Sequence, residues 1–599
     1  MKILRLSAVL LALPLLAEGP PLPPLEACLP ADAAAVLVVR DMPRLVAAWN
    51  RTHLPGLLGQ AKGMLDQMGQ GMEDAEVMDL LEALQPALKG QLALGVTGSE
   101  EIGNQIRSLY GAPSEKTPVN VLLLAEVVPE AFEVLEGLVL KRLSGKAELT
   151  RERCEGGTLR ILKEKGKSLS VTWTLASGHL ALAFGDEPLE VLKSAVEALK
   201  RGKAEPSAAD NPRFQEAARR VGAFQALLFL DLEALASRAS KALTEVEALP
   251  EAGRDQDIPS PAALSKVLAL NSLRSGYAAL SSRAGGADLD LGLLYAQPEG
   301  FLRLLALSPG PCPRPDFLPM DAVWLGANRL SLAELLAAAE GIAEDLGPQA
   351  LGEFQMGLAF FQTEMGIGPK ALLASLGDET AWAGFPRKDP KQFLPYGMLQ
   401  AVSVKDPAVL GRSLDVIREK MIQGMAQQAE AMKEMGMPAG DKPPYTRRDV
   451  LGATVHSFVQ DSGMGMSLET HYVLAGRWLL VCIGEPAPLD AALRRILKPE
   501  ASPWERPEVK ADLQALPDTG AGSLGWGNPA ASLLGNYVMG MMFACQGVMA
   551  QMGGGGPAMP APEEMAGNFG RAVTSSTQEP GGYAVRVRWF PPKAVVKAP

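Results

Sequence analysis

The sequence predicts an α+β protein of two tandem homologous units, each with a largely antiparallel sheet flanked by helices. Three observations carry that reading. The two halves repeat the same local patterns in the same order. Neighbouring strand-like runs such as LRILKEK, SLSVTWTL and HLALAFG are too closely connected for parallel crossovers. The composition, 47% hydrophobic and 21% charged, is that of a folded chain.

The repeat is read in order, as strand and helix periods separated by turn residues. The first half opens with Leu29-Pro30-Ala31-Asp32, a strand and a helix; the second opens with Leu318-Pro319-Met320-Asp321 and the same sequel. Leu88-Lys89-Gly90 before the strand QLALGV matches Ser375-Leu376-Gly377 before ETAWAGF. The strand VNVLLLAEV with Pro129 and a helix matches GMLQAVSV with Asp406-Pro407 and a helix. Ser177-Gly178-His179, LALAFG and a helix match Ala475-Gly476-Arg477, WLLVCIG and a helix. Asn211-Pro212 matches Arg506-Pro507 at the next helix start. Both halves close on a Gly-Gly hairpin, at Gly285-Gly286 and Gly581-Gly582, where glycine supplies the positive φ of a tight turn.

These matches place the first unit at 28–311 and the second at 312–599, with a methionine-rich insertion at 421–442 expected as a loop or surface excursion. A subdomain break is expected near Pro206 to Pro212. Length alone suggests about three to four packed units.

The N-terminus has the layout of a secretory signal peptide. Lys2 and Arg5 precede an apolar run from Leu6 to Leu16, and Ala17 is a small residue placed for cleavage. Residues 1–17 are read as the signal and 18–27 as a proline-rich linker. The run is too short to span a bilayer at 1.5 Å per residue. The expectation is an exported protein, periplasmic or extracellular. Lipoprotein processing at Cys28 is disfavoured, because Glu26 fits a lipobox poorly and prolines separate Cys28 from the apolar run. No later run is long and apolar enough for a transmembrane helix.

Composition disfavours several functions. The net charge of −11 repels phosphate backbones, so no nucleic-acid partner is expected. The four histidines, His53, His179, His456 and His471, form no HExxH motif, and no metal ligands, P-loop or GxSxG elbow are read. No cofactor is expected either. The stretch from Gly520 to Gly525 matches a dinucleotide fingerprint but runs into a strand, where that motif needs a helix. Asp186-Glu187 reads as helix N-terminal charge and Asp378-Glu379 as a solvated strand start. No catalytic residue is assigned, although dispersed carboxylates or serines of an exported hydrolase stay open.

Methionine and cysteine mark the remaining candidates. Met421, Met425, Met432 and Met435 recur at helical spacing, as do Met539, Met542, Met549 and Met552. Such stripes ordinarily fill a core. The same spacing also suits an adaptable binding surface for an envelope protein, lipid or peptide, or soft-metal coordination. Gly424 and Gly436 weaken the first of these helices. Cys482 reads as a buried small hydrophobe. Cys28 and Cys312 each precede the opening of their unit and form a candidate disulfide.

The L-P-x-D openings, the turns in LALAFGDEPLEVL and LLVCIGEPAPLDAAL, and NPRFQEAARR with LLFLDLEAL resemble a family of large exported bacterial proteins known only as a domain of unknown function. The resemblance covers most of both halves, and its motifs are structural turns. It implies the fold and the export, and brings no catalytic residue. SLGWGNPAASLL in the second half departs from the pattern. The expectation is a non-catalytic scaffold or binding protein.

Overall fold

The computed structural model describes residues 24–45, 88–112, 118–130, 132–133, 136–137, 147–154, 157–164, 170–176, 178–248, 259–283, 286–307, 310–386, 396–434, 445–461, 467–516, 521–527, 570–579 and 581–590. The chain divides into two compact units, Met1–Gly300 with Pro580–Ala584, and Phe301–Glu579 with Val585–Pro599. Two units therefore replace the three or four that length suggests. The division falls at Gly300, ahead of the expected boundary at 311.

Unit 1 contains β1 (Ala35–Val39), β2 (Leu88–Thr97), α1 (Glu100–Leu109), β3 (Asn120–Val127), β4 (Ala147–Cys154), β5 (Gly157–Glu164), β6 (Ser170–Ala176), β7 (His179–Gly185), α2 (Pro188–Arg201), α3 (Pro212–Val221), β8 (Ala226–Leu230), α4 (Leu232–Glu247), α5 (Pro261–Val267), β9 (Leu273–Arg283) and β10 (Gly286–Tyr295). Every pairing is antiparallel, in the order β4-β5-β6-β7-β3-β2-β1-β8-β9-β10. Alternate residues of each strand point to opposite faces. One face carries Val36, Val38, Leu122, Leu124 and Phe229 under Leu192, Val196 and Phe214 of α2 and α3. The other carries Leu37, Val39, Leu92, Ala125 and Leu180. Burial on both faces explains why the central strands read as continuous apolar runs.

Unit 2 contains β11 (Trp324–Arg329), α6 (Leu332–Leu346), α7 (Pro348–Met365), α8 (Pro369–Ala374), β12 (Leu376–Pro386), β13 (Tyr396–Val404), α9 (Pro407–Glu434), β14 (Tyr445–Val450), β15 (Ala453–Asp461), β16 (Ser467–Ala475), β17 (Trp478–Ile483), α10 (Ala487–Leu497), α11 (Pro507–Gln514), β18 (Ser523–Gly527), β19 (Arg571–Glu579) and β20 (Gly582–Phe590). Its order is β14-β15-β16-β17-β13-β12-β11-β18-β19-β20. Leu325, Ala383, Leu399, Val473 and Cys482 lie on the face that packs Leu489, Leu493 and Val509 of α10 and α11. The opposite face holds Leu376 and Val404, with Leu410 of α9, Leu372 of α8 and Leu332 of α6 against them.

The two orders are the same, strand for strand. They also share an irregularity. Leu88 pairs with Val127 and Leu92 with Ala125, so β2 spends four steps against two of β3. Leu376 pairs with Val404 and Thr380 with Val402, the same bulge at the same place in β12. Each unit also places a serine before a short 3-10 turn and then a helix with proline at its first turn. These are Ser207 before Ala208–Asp210 and α3, and Ser502 before Pro503–Glu505 and α11. Proline suits a helix start because its missing N–H is one of the helix's unpaired donors anyway.

Three expectations change. The stretch near Pro206 is no break: Ser207 bridges Pro30, and Ala204 and Ala208 donate to the carbonyls of Ala27 and Leu29. The ladder equates His179 with Trp478, not with Arg477. His179 faces Glu126, and Trp478 faces Ser403, the residue at Glu126's place in β13. The first part of the expected insertion is helical, as the methionine spacing reads, with α9 running unbroken through Gly424 to Glu434. Asp378 and Glu379 are ion-paired rather than merely solvated, with Arg329 at 3.0 and 3.6 Å.

Candidate functional site

Unit 2 holds a cavity of about 390 Å³ at one end of its sheet. Four separate segments wall it: 313–317 ahead of β11, Glu379 in the β12 bulge, the turn into β17, and the end of α10 with Pro499. The β16–β17 turn has two residues, because Ala475 pairs directly with Trp478. Gly476 takes the positive φ of 57° that such a turn requires, and Arg477 is projected outward beside it.

The floor is aromatic. Trp478 meets Phe317 edge-on, with centroids 4.9 Å apart. The Arg477 guanidinium lies 5.0 Å over the Trp478 ring and pairs with Glu379 at 2.9 Å. Arg495 builds the wall. Its side chain is only 6% exposed and pairs with Glu500 at 3.1 Å. It also donates to the Asp316 carbonyl at 2.9 Å and to the carbonyl of Ala501. A buried guanidinium with carbonyl and carboxylate acceptors ties the 313–317 segment to the end of α10.

The charges around the cavity nearly cancel. Arg477 is matched by Glu379, and Arg495 by Glu500. Arg314 and Asp316 line the same cavity, both exposed. Neither side chain has a hydrogen bond or ion pair among the described residues.

A second cavity, of about 340 Å³, lies in unit 1 between α4 and α5. Its charged side chains are engaged: Glu299 accepts from the Ser272 hydroxyl, and Glu247 and Lys266 also have partners.

The histidines fall into different settings. His471 is 4% exposed on β16; its Nδ1 faces Ser457 Oγ at 2.8 Å, and its Nε2 donates to the Gly484 carbonyl at 2.8 Å. Glu469 stands 3.6 Å from the same Nε2. Burial pulls His471 below the ordinary imidazole range, so the ring is neutral. This is a hydroxyl–imidazole pair with a carboxylate behind it, but Ser457 is only 6% exposed. A nucleophile must be reachable by substrate, so the geometry serves as an internal tie between β15, β16 and the turn before α10. His456 stacks on Tyr472 at 4.8 Å and its Nδ1 meets the Tyr445 hydroxyl at 2.9 Å. Arg418 of α9, paired with Asp415 at 2.6 Å, covers this ladder. His179 opens β7, and His53 lies outside the described residues.

The methionine candidates do not assemble into one described surface. Met421 and Met425 are half-buried and continue the stripe of Leu414 and Arg418 along α9. Met432 lies in the same helix. Met435, Met539, Met542, Met549 and Met552 lie outside the described residues, as does Gly436. Among the described residues no group of three or more His, Cys, Asp or Glu could hold a metal ion.

Cys28 and Cys312 are both free thiols in this structure. Each is used locally. Cys28 is packed in the core of unit 1, and Cys312 donates to the Ala327 carbonyl at 3.0 Å. Burial pushes the Cys312 thiol up to about 12 and raises Cys28 as well. Cys482 is fully buried in the unit 2 core, as its apolar strand predicts. Of the glycine fingerprint, Gly525 lies inside β18 and Gly522 just before it. Asp186 ties α2 back to β3 through the Val119 N–H at 3.2 Å, a structural role at a helix start.

The sequence reading did not bring the cavity residues together. Arg477 enters the sequence reading only as a matched turn residue, and Arg314, Trp478 and Arg495 come from distant segments. The usable signal was the rigid run Pro313-Arg314-Pro315-Asp316, which alternates proline with opposite charges.

No family model matches the sequence, and no curated protein matches it. Among solved structures, crystal forms III and IV of TP0453 are similar over 46% and 45% of this chain and 81% and 80% of theirs. Identity is 10% in both, and the TM-score is 0.23 in both. Likeness at that level carries no argument about function. Among the described residues no helix is long and apolar enough to cross a membrane.

Proposed function

We propose that the chain is an exported, non-catalytic binding protein of the cell envelope, formed by duplication of one ten-stranded unit, with a small-molecule site in the second copy. The identical strand order and the shared β2/β12 bulge support the duplication, because a bulge of that kind is a specific, retained feature rather than a general property of sheets. The signal-like N-terminus supports export.

The observation that carries the binding reading is where the copies part. His179 and Gln91 of unit 1 stand where unit 2 has Trp478 and Glu379, and these latter two form cavity wall and floor. The volume falls at the small end of the range typical of ligand pockets. An exported hydrolase draws on the Ser457–His471 contact, and its burial counts against that use.

Native mass spectrometry of the mature chain purified from the envelope tests the reading. The expected result is a chain beginning at Glu18 with a small molecule that leaves on denaturation. A chain retained in the cytoplasm would overturn export. An empty chain with no affinity for any small molecule would overturn the binding role.

A further inference from the structure

We propose that the unit 2 cavity takes a small apolar zwitterion, the chemical class of a free α-amino acid with an apolar side chain. The inference rests on the binding-protein reading above and names the ligand of that site.

Electroneutrality carries the argument. Arg477 and Arg495 are each matched by a carboxylate, at 2.9 and 3.1 Å. Without an ion pair at the cavity are one cation, Arg314, whose field also reaches Glu505, and one anion, Asp316, two residues apart and each following a proline. A dianion such as phosphate would meet Asp316 and Glu379 with only one unmatched cation to receive it, a like-charge juxtaposition that discriminates against it. A compound carrying one carboxylate and one ammonium satisfies both unmatched groups at once. The guanidinium fork suits a carboxylate, and the Asp316 carboxylate suits an ammonium.

Apolar matter supplies the rest. Ile496, Pro313, Pro315 and Pro499 offer aliphatic surface to the body of the ligand, over the buried Trp478 and Phe317 rings. The volume of about 390 Å³ admits a compound of amino-acid size. The prolines hold the backbone carrying Arg314 and Asp316 stiff, and Arg495 holds that backbone against α10. A site arranged in advance loses less freedom on binding.

The test is a titration of the full mature chain, followed by tryptophan fluorescence and calorimetry. The probes are L-phenylalanine, N-acetyl-L-phenylalanine, L-phenylalaninamide and 3-phenylpropionate. L-Phenylalanine is expected to bind the wild-type chain most tightly. Acetylation and amidation should each weaken binding by about tenfold, the size of one charge-assisted contact. Asp316→Asn should abolish the penalty for acetylation alone, and Arg314→Ala the penalty for amidation alone. Both side chains are exposed, so both variants should fold with an unchanged melting temperature.

Equal affinity for all four compounds, or penalties that the matched variants do not remove, would overturn the zwitterion. Binding of 3-phenylpropionate as tight as that of L-phenylalanine would overturn it in favour of a simple carboxylate. No binding of any of the four at millimolar concentration would overturn it too. A different molecule found by native mass spectrometry would end this inference and leave the binding-protein reading standing.

Discussion

Trp382 lays its indole across Gly326, the residue facing it on the neighbouring strand. Trp324 does the same across Gly384, two pairs along. A Cβ at either glycine would occupy the ring's space. The equivalent pairs in unit 1 are Leu37 with Leu94 and Ala35 with Val96. Unit 1 shares the volume between partners and unit 2 gives it all to one, so corresponding ladders are filled in two ways.

That exchange is testable by a double-mutant cycle in the full chain. Gly326→Leu alone should destabilise by about 2–4 kcal/mol through overpacking, and Trp382→Leu alone by a similar amount through a cavity. The double variant should recover about 1–3 kcal/mol of the combined loss. Additive losses in chemical denaturation would show that the two positions are not a volume-matched pair.

His471 makes stability depend on pH in a known direction. Burial lowers its folded-state affinity for protons below the ordinary value of 6.5. Above that value the ring is neutral in both states and its contribution is complete. As pH falls below it, the unfolded ring takes a proton that the folded ring refuses, and stability drops. His456 is shifted the same way, chiefly by burial. The melting temperature should therefore fall between about pH 7 and pH 5. His471→Gln should fall less steeply over that window; an unchanged slope would remove His471 from the account.

Asp512 is a buried carboxylate with two donors, the Trp526 indole N–H at 2.9 Å and Arg571 Nε at 2.8 Å. Asp512→Ala leaves the indole N–H without its partner and strips Arg571, which should cost about 2–4 kcal/mol. Asp512→Asn keeps an acceptor and should cost less. Equal losses for the two, measured by urea unfolding, would mean that packing rather than hydrogen bonding sets the effect.

The thiols should be slow. With Cys312 pushed up to about 12 and Cys28 buried, neither presents thiolate near neutral pH. Alkylation of the folded chain at about pH 8 should leave both unmodified until denaturant is added. Peptide mapping without reductant should recover each as a free cysteine. Rapid labelling of either would contradict its enclosure.

Much of the sheet was legible because its strands are apolar runs punctuated by glycine and proline. β3, β7, β13 and β17 stand where VNVLLLAEV, HLALAFG, GMLQAVSV and WLLVCIG predict them. Asn211-Pro212 and Arg506-Pro507 open helices as read. The one-residue error at His179 arose because a two-residue turn can be Ser-Gly or Gly-Arg, and glycine position alone does not settle which residue begins the next strand. The bulge was invisible because Lys89, Gly90 and Gln91 look like any polar lead-in. The cavity was hidden for a different reason: its parts are four short segments, and only the sheet brings them together.

The strand order has a kinetic consequence. β1 is interior to its sheet, with Val36 facing Gly95 on one side and Phe229 on the other. β11 repeats this, with Leu325 facing Ala383 and Trp526. A chain emerging N-terminus first therefore presents an apolar strand whose second edge waits through most of a unit for its partner. Contacts so distant in sequence form slowly, and an unpaired edge invites pairing with other chains. That edge stays open to such pairing until β8, and later β18, arrives.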